Sequence, residues 1–209
     1  MSTVLVLNSS ATGEASVSKR LVRDVVDQLR VQDPTLHVVT RDLGDNPIPH
    51  LTLDSATALR GQEPVNEAQA AAQALSDELI GELKGADIVV IGAPMYNFGI
   101  PSTLKAWFDY VLRAGVTFRY TETGPEGLVK GKRAIVVESR GGLYSEGPAK
   151  AMDSQEPHLR TMLGFIGITD VSFVRAERLA LGPDAREQAL ADAKTQLGRL
   201  TQDGLRRAA

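Results

Sequence analysis

The chain contains no cysteine. That absence removes disulfides, thiolate nucleophiles, thiolate metal sites and iron–sulfur clusters together, so any redox chemistry has to be borrowed from a cofactor. Excess charge of one sign is also missing. Against 23 Lys and Arg stand 26 Asp and Glu, a formal net charge of −3. So small an imbalance points to neither nucleic acid nor an acidic membrane surface as partner. No apolar run approaches the length of a membrane span. The apolar stretch Val4 to Leu7 follows no basic leader and is too short for a signal segment, so a cytoplasmic protein is expected. His37, His50 and His158 are scattered without ligand spacing, and no metal site is expected.

What is present is a recurring alternation. With 209 residues, 43% of them apolar, the chain has material for one substantial core, and residues 1–209 are expected to form a single domain. Short β-branched runs are each followed by a stretch of helical period, the sign of parallel strands joined by crossover helices. Strands are predicted at Thr3 to Leu7, Leu36 to Arg41, Asp87 to Gly92, Arg133 to Glu138 and Val171 to Ala176. Helices are predicted from about Ser18 to Arg30, from Ala68 to about Gly85, through Leu104 to Leu112, around His158 to Phe165, and from about Asp184 onward. Asp42 to Val65, with Pro47, Pro49, Gly61 and Pro64, reads as a long surface loop. Val116 to Val129 reads as a small inserted hairpin with a Gly-Pro turn. The acidic residues around Glu63 to Glu67 and Asp184 to Glu187 sit at helix starts, where each stabilises the dipole by roughly 0.3–1 kcal/mol. The fold class is therefore α/β, a doubly wound five-stranded parallel sheet with helices on both faces. Its ligand belongs at the carboxyl ends of the strands, where strand order reverses.

Three loops fall on that edge. Asn8 to Ser18 offers hydroxyls at Ser9, Ser10, Ser16 and Ser18 ahead of a helix N-terminus, a suitable seat for a phosphate; the competing reading makes Ser16 or Ser18 only a helix cap. The loop matches neither the dinucleotide G-x-G-x-x-G nor the G-x-x-x-x-G-K-[ST] pattern. Pro94 to Pro101 places apolar and aromatic groups beside a flexible backbone and suits a flat heteroaromatic ring, or else is a proline-bounded turn. Ser139-Arg140-Gly141-Gly142 lets backbone approach a ligand closely, or else is a tight turn.

Taken together, N-S-S with S-x-S, A-P-M-Y-N-F, A-G-V-T-F-R-Y-T-E-x-G-P-E-G and S-R-G-G resemble the FMN-dependent NADH azoreductases, which also act as quinone reductases. The resemblance runs over nearly the whole chain, from VLVLNSS through LGFIGITDV to the C-terminal helix. It implies a flavodoxin-like homodimer with one FMN per subunit and active sites at the dimer interface. By that resemblance Ser10, Ser16, Val17 and Ser18 hold the FMN phosphate, and Met95, Tyr96, Asn97 and Phe98 line the isoalloxazine. Ser139, Arg140, Gly141 and Gly142 cover its pyrimidine end. No catalytic side chain is assigned, because the flavin carries the chemistry: hydride passes from NADH or NADPH to flavin N5 and then to a quinone or azo compound, in ping-pong order. By position, Phe118, Tyr120 and Phe165 are candidates for aromatic walls of the substrate slot, with Phe165 as a core residue the competing reading. Arg60 is a candidate for nicotinamide phosphates, against the ordinary fate of a solvated charge. Two rival readings stay open. A flavodoxin-type single-electron carrier usually needs a strongly charged docking face, which the near-neutral balance does not supply, and a regulatory domain of the same fold would bind no flavin.

Overall fold

The structure, a computed structural model, describes residues 2–207. In chain order the elements are β1 (Thr3–Asn8), α1 (Val17–Gln32), β2 (His37–Asp42), α2 (Leu53–Ala58), α3 (Glu67–Gly85), β3 (Ile88–Pro94), α4 (Ser102–Val111), β4 (Phe118–Thr121), β5 (Gly124–Gly127), β6 (Arg133–Ser139), α5 (Glu156–Ile166), β7 (Asp170–Ala176) and α6 (Pro183–Arg207). Five strands form one parallel sheet in the order β2-β1-β3-β6-β7, while β4 and β5 pair separately as an antiparallel hairpin. The doubly wound sheet read from the alternation is therefore present, with its reversal of order between β1 and β3.

Strand alternation explains the layers. Leu5, Leu7, Val89, Ile91, Ala134 and Val136 join one buried cluster with residues of α3, α4 and α5. Their neighbours Val4, Val6, Val90, Ile135 and Val137 point the other way and pack with residues of α1 and α6. A central strand covered on both faces has no polar side to show, which is why β3 and β6 read as continuous apolar runs. Each such Val, Leu or Ile contributes roughly 1.5–3 kcal/mol by leaving water.

Two local expectations need correction. The segment Asp42 to Val65 is not loop throughout, because it holds α2. Thr52 caps that helix by accepting from Ser55 N–H at 3.2 Å, and the Ser55 hydroxyl accepts from Thr52 N–H at 2.8 Å. This is a capping box with serine in place of the usual Glu or Gln. The hairpin turn is also not at Gly-Pro. Thr121 pairs with Gly124 and Tyr120 with Pro125, so Glu122 and Thr123 make the turn and the Gly-Pro pair begins the return strand. Among the described residues no helix is long and apolar enough to cross a membrane.

The hairpin is fastened to the end of α5. Val129 N–H donates to the Ile166 carbonyl at 2.8 Å, and a Cβ placed on Gly127 would lie 2.1 Å from the Gly167 nitrogen. Gly167 itself closes α5 in the left-handed region at φ 102°. Gly127→Ala should therefore destabilise the protein by about 1–3 kcal/mol, the usual cost of forcing an extra carbon into a close-packed contact. Urea unfolding measures it, and an unchanged midpoint would mean the hairpin is not tied to α5.

Candidate functional site

The sheet register sets the site. Asn8 of β1 pairs with Gly92 of β3, and Pro94 of β3 pairs with Ser139 of β6, so three strands release their chains at nearly one level. The loops are then stitched together. Ser9 Oγ donates to the Gly92 carbonyl at 2.7 Å, and Met95 N–H donates to the Ser139 carbonyl at 2.9 Å. Between them lies a cleft of about 190 Å³. Ser10, Thr12, Ser16 and Val17 line it from the first loop, Pro94, Met95 and Tyr96 from the second, and Ser139, Arg140 and Gly141 from the third, with Leu179 and Arg186 from the segment after β7. Two of the larger hollows, of about 490 and 430 Å³, lie past the third loop around Arg175 and touch neither of the other two loops.

In the first loop the cap reading and the cleft reading both hold for Ser16. Its side chain accepts from Lys19 N–H at 3.1 Å, capping α1, and it also faces the cleft. Ser18 is turned inward, 1% exposed, with its hydroxyl 3.1 Å from that of Ser16. Ser10 lies 3.0 Å from the Thr12 hydroxyl and 3.3 Å from the Tyr96 hydroxyl, which also accepts from Ala11 N–H at 3.1 Å. A tyrosine from the second loop thus closes over the first. Gly44 supports the path from behind, since a Cβ there would come within 2.1 Å of the Ser10 carbonyl oxygen.

The second loop is a tight reversal. Tyr96 and Gly99 exchange backbone hydrogen bonds at 3.0 and 3.1 Å, and the residues between them, Asn97 and Phe98, have φ of 49° and 71°. Asn tolerates that conformation, but a side chain as large as Phe pays roughly 1–2 kcal/mol for it. Strain of this kind persists only where neighbours hold it. Here Ser154 N–H donates to the Phe98 carbonyl at 3.0 Å, and the Tyr144 ring meets the Phe98 ring edge-on at 6.0 Å.

The third loop spends its carbonyls on the protein: those of Arg140, Gly141 and Gly142 accept from the N–H groups of Leu179, Ala180 and Arg178. Among the described residues the N–H groups of Gly141 and Gly142 have no acceptor, and the same is true of Asn97, Val17 and Ser18. Arg140 contributes no charge to the cleft. Its side chain is fully buried, with Glu138 at 2.7 Å, Asp153 at 3.1 Å and Glu177 at 3.2 Å. Burial alone would lower the Arg140 pKa, but these three carboxylates outweigh it and raise it. Glu177 goes the opposite way: burial raises its pKa, yet hydrogen bonds from Ser145 and Tyr144, with the charge of Arg140, bring it below the ordinary value. Glu138 is dominated by burial, which pushes it up to about 8 against the pull of Arg140, and its Oε1 has no hydrogen-bond partner.

Not every sequence-predicted residue reaches the cleft of one chain. Phe118 is buried and packs on Phe165 at 4.5 Å between ring centroids, with the 74% exposed Tyr120 edge-on to Phe118 at 5.6 Å. These three form their own cluster between the hairpin and α5. Arg60 is exposed, just past α2, and lines none of these hollows. Asn97 and Phe98 stand exposed at the rim. Thr12, Leu179 and Arg186 line the cleft without having been singled out. Thr12 carried a signal as a further hydroxyl in a phosphate-type loop, whereas only the fold brings α6 to this edge.

A family model for the flavodoxin-like fold matches residues 2–200. The FMN-dependent NADH:quinone oxidoreductase of Hyphomonas neptunium is 56% identical over 202 residues, 97% of each chain. Among solved structures, an azoreductase from Bacillus anthracis is 31% identical with a TM-score of 0.87, covering 97% of this chain and 100% of its own. An FMN-dependent NADH-azoreductase from the same organism, in complex with FMN, is 27% identical with a TM-score of 0.84, covering 96% of this chain and 100% of its own.

The buried charges behind the third loop yield two expectations. Arg140→Met leaves carboxylates without their cation and should cost about 3–5 kcal/mol in denaturant unfolding; a loss well under 1 kcal/mol would contradict the buried pairing. Folding raises the Glu138 pKa from 4.5 to about 8, so the folded protein holds an extra proton between those values and loses stability as pH rises through them. Glu138→Gln removes that titration, and its unfolding free energy should gain on wild type from about pH 5 to pH 8. A difference that stays flat over that range would remove the assignment.

Proposed function

This chain belongs to the flavodoxin-like family, and from that membership we propose that it is an FMN-dependent NADH:quinone oxidoreductase that also reduces azo compounds. The flavin's place is the cleft between the loops that follow β1, β3 and β6. The names of the relatives support this reading. The observation that carries it is the donor set: the cleft is lined from the first loop by the hydroxyl-bearing Ser10, Thr12 and Ser16 and by Val17, whose N–H is free, and from the third by Gly141, whose N–H is free, with the free N–H groups of Ser18, Asn97 and Gly142 next along the same loops among the described residues. That set fits a ligand with an anionic phosphate at one end and a flat ring rich in carbonyl and imine acceptors at the other.

FMN, when bound, supplies the centre that accepts a hydride from the reduced nicotinamide and returns it to the acceptor. The chain's own part is to bind and orient. Ser10 and Ser16, with the Val17 and Ser18 N–H groups, hold the phosphate where the α1 dipole favours negative charge. Arg186 adds an exposed cation at the cleft's edge. Met95 and Tyr96 give the ring an apolar seat, and Gly141 lets backbone come close to it. We read the order as ping-pong, with NADH or NADPH and the acceptor using one open side in turn. The reading includes a homodimer, for which Leu53, Val65 and Tyr120 leave apolar surface at 86%, 83% and 74% exposure.

The test is direct. Purified protein given FMN, NADH and a simple benzoquinone should consume NADH in proportion to bound FMN, with parallel double-reciprocal plots. Intersecting plots would contradict the ping-pong order, and no FMN-dependent turnover would contradict the function. Arg186→Gln should weaken FMN binding by about two- to five-fold at low salt, as an exposed ion pair does, with the difference fading at high salt. Equal affinity at low salt would remove Arg186 from the site.

A further inference from the structure

Behind the third loop the chain buries a polar network that a flavin cradle does not itself require. Arg140 is its centre, and two of its partners carry the interaction onward. Gln155, also fully buried, accepts from Arg140 Nε at 3.0 Å and donates through Nε2 to the Ala93 carbonyl in β3 at 2.8 Å. Glu177 accepts from Arg140 at 3.2 Å, and its Oε1 also accepts from the backbone N–H groups of Tyr144 at 2.8 Å and Ser145 at 3.0 Å, while Oε2 takes the Ser145 hydroxyl. One carboxylate therefore fixes where the chain goes on leaving the third loop.

Tyr144 is what that path delivers. Its ring lies over Gly142, where a Cβ would sit 3.1 Å from two ring carbons and from the hydroxyl oxygen. The same ring meets Phe98 edge-on, with centroids 6.0 Å apart and planes at 80°. Phe98, two residues past the cleft-lining Tyr96, is 41% exposed and held in a left-handed conformation. Its carbonyl is tied to Ser154, next to the Asp153 and Gln155 that grip Arg140. The network thus reaches both rings, through Glu177 on one side and through the 153–155 segment on the other.

We propose that Tyr144 forms, with Phe98, a wall of the slot in which the flat acceptor stacks, and that Glu177, braced by Arg140, is a positioning residue that sets the Tyr144 ring in place. The inference rests on the reading of the cleft as a flavin site. A small quinone is held by ring contact almost alone, whereas a dinucleotide spreads its binding over ribose and phosphate groups. Loss of the wall therefore falls on the acceptor more than on NADH.

The experiment measures kcat/KM separately for a small benzoquinone and for NADH, using FMN-saturated protein. Tyr144→Ala and Glu177→Ala should each lower the quinone value by about five- to ten-fold, the scale of one aromatic contact, with the NADH value moving by no more than about twofold. The double variant should lose no more than either single one, because both remove the same wall. Glu177→Gln keeps an acceptor oxygen for the two N–H groups and should recover most of the quinone value. Equal falls for both substrates, additive losses, or alanine variants indistinguishable from wild type would each overturn the proposal. Wild-type protein that binds no FMN would instead overturn the flavin reading on which it stands, and that control comes first.

Discussion

The parallel register of β1, β3 and β6 is the constraint from which the rest follows. Because Asn8 stands beside Gly92 and Pro94 beside Ser139, three crossover connections begin on the same edge of the sheet. The chain leaves β1 towards β2 on one side and returns to β3 on the other, so the loops after β1 and β3 part and leave a crevice. Parallel strands also oblige each crossover helix to start near that edge, which aims the N-terminus of α1 at the crevice without any basic side chain. A phosphate seat, an aromatic rim and a glycine turn are thereby consequences of one pairing pattern.

The edge is then made rigid at a cost. Burying Arg140 among Glu138, Asp153 and Glu177 gains little net stability, since desolvation offsets most of the attraction between charges. What the cluster supplies is direction. One guanidinium touches the end of β6, the start of α5 and the residue after β7, and through Gln155 reaches β3. The strained turn at Asn97 and Phe98 persists against its own local preference because this surrounding frame holds it. Rigidity in the frame and exposure at the rim are what a site needs if it must position a flat cofactor and still admit flat substrates.

Much of this was legible in the sequence. The runs VLVL, DIVVIG and AIVVE announce strands buried on both faces, and the helical stripes between them leave little choice but a doubly wound sheet. Two details of the fold were hidden because their signals are short: α2 is capped by serine and threonine alone, and the hairpin turns at Glu122-Thr123, which carry no glycine. At the site, residues adjacent in sequence to the strand ends were readable, including Ser10, Ser16, Met95, Tyr96 and Gly141. The direction of a side chain was not. Arg140 reads as a cleft residue by its place in S-R-G-G, yet its charge is consumed by carboxylates that only the folded chain brings together. Arg186, Glu177 and Gln155 lie far along the chain from the loops they serve, and no local pattern marks them. Phe118, Tyr120 and Phe165 are aromatic and near one another, as their placement in the hairpin and α5 allows, but they make a cluster apart from the cleft of a single chain.

The measurement that bears most directly on the central claim is a crystal structure of the protein grown with FMN. The account predicts the phosphate against Ser10, Ser16 and the first turn of α1, with the ring between the Met95–Phe98 loop and the backbone of Gly141 and Gly142. Flavin density elsewhere, or a phosphate bound away from the α1 N-terminus, would contradict it.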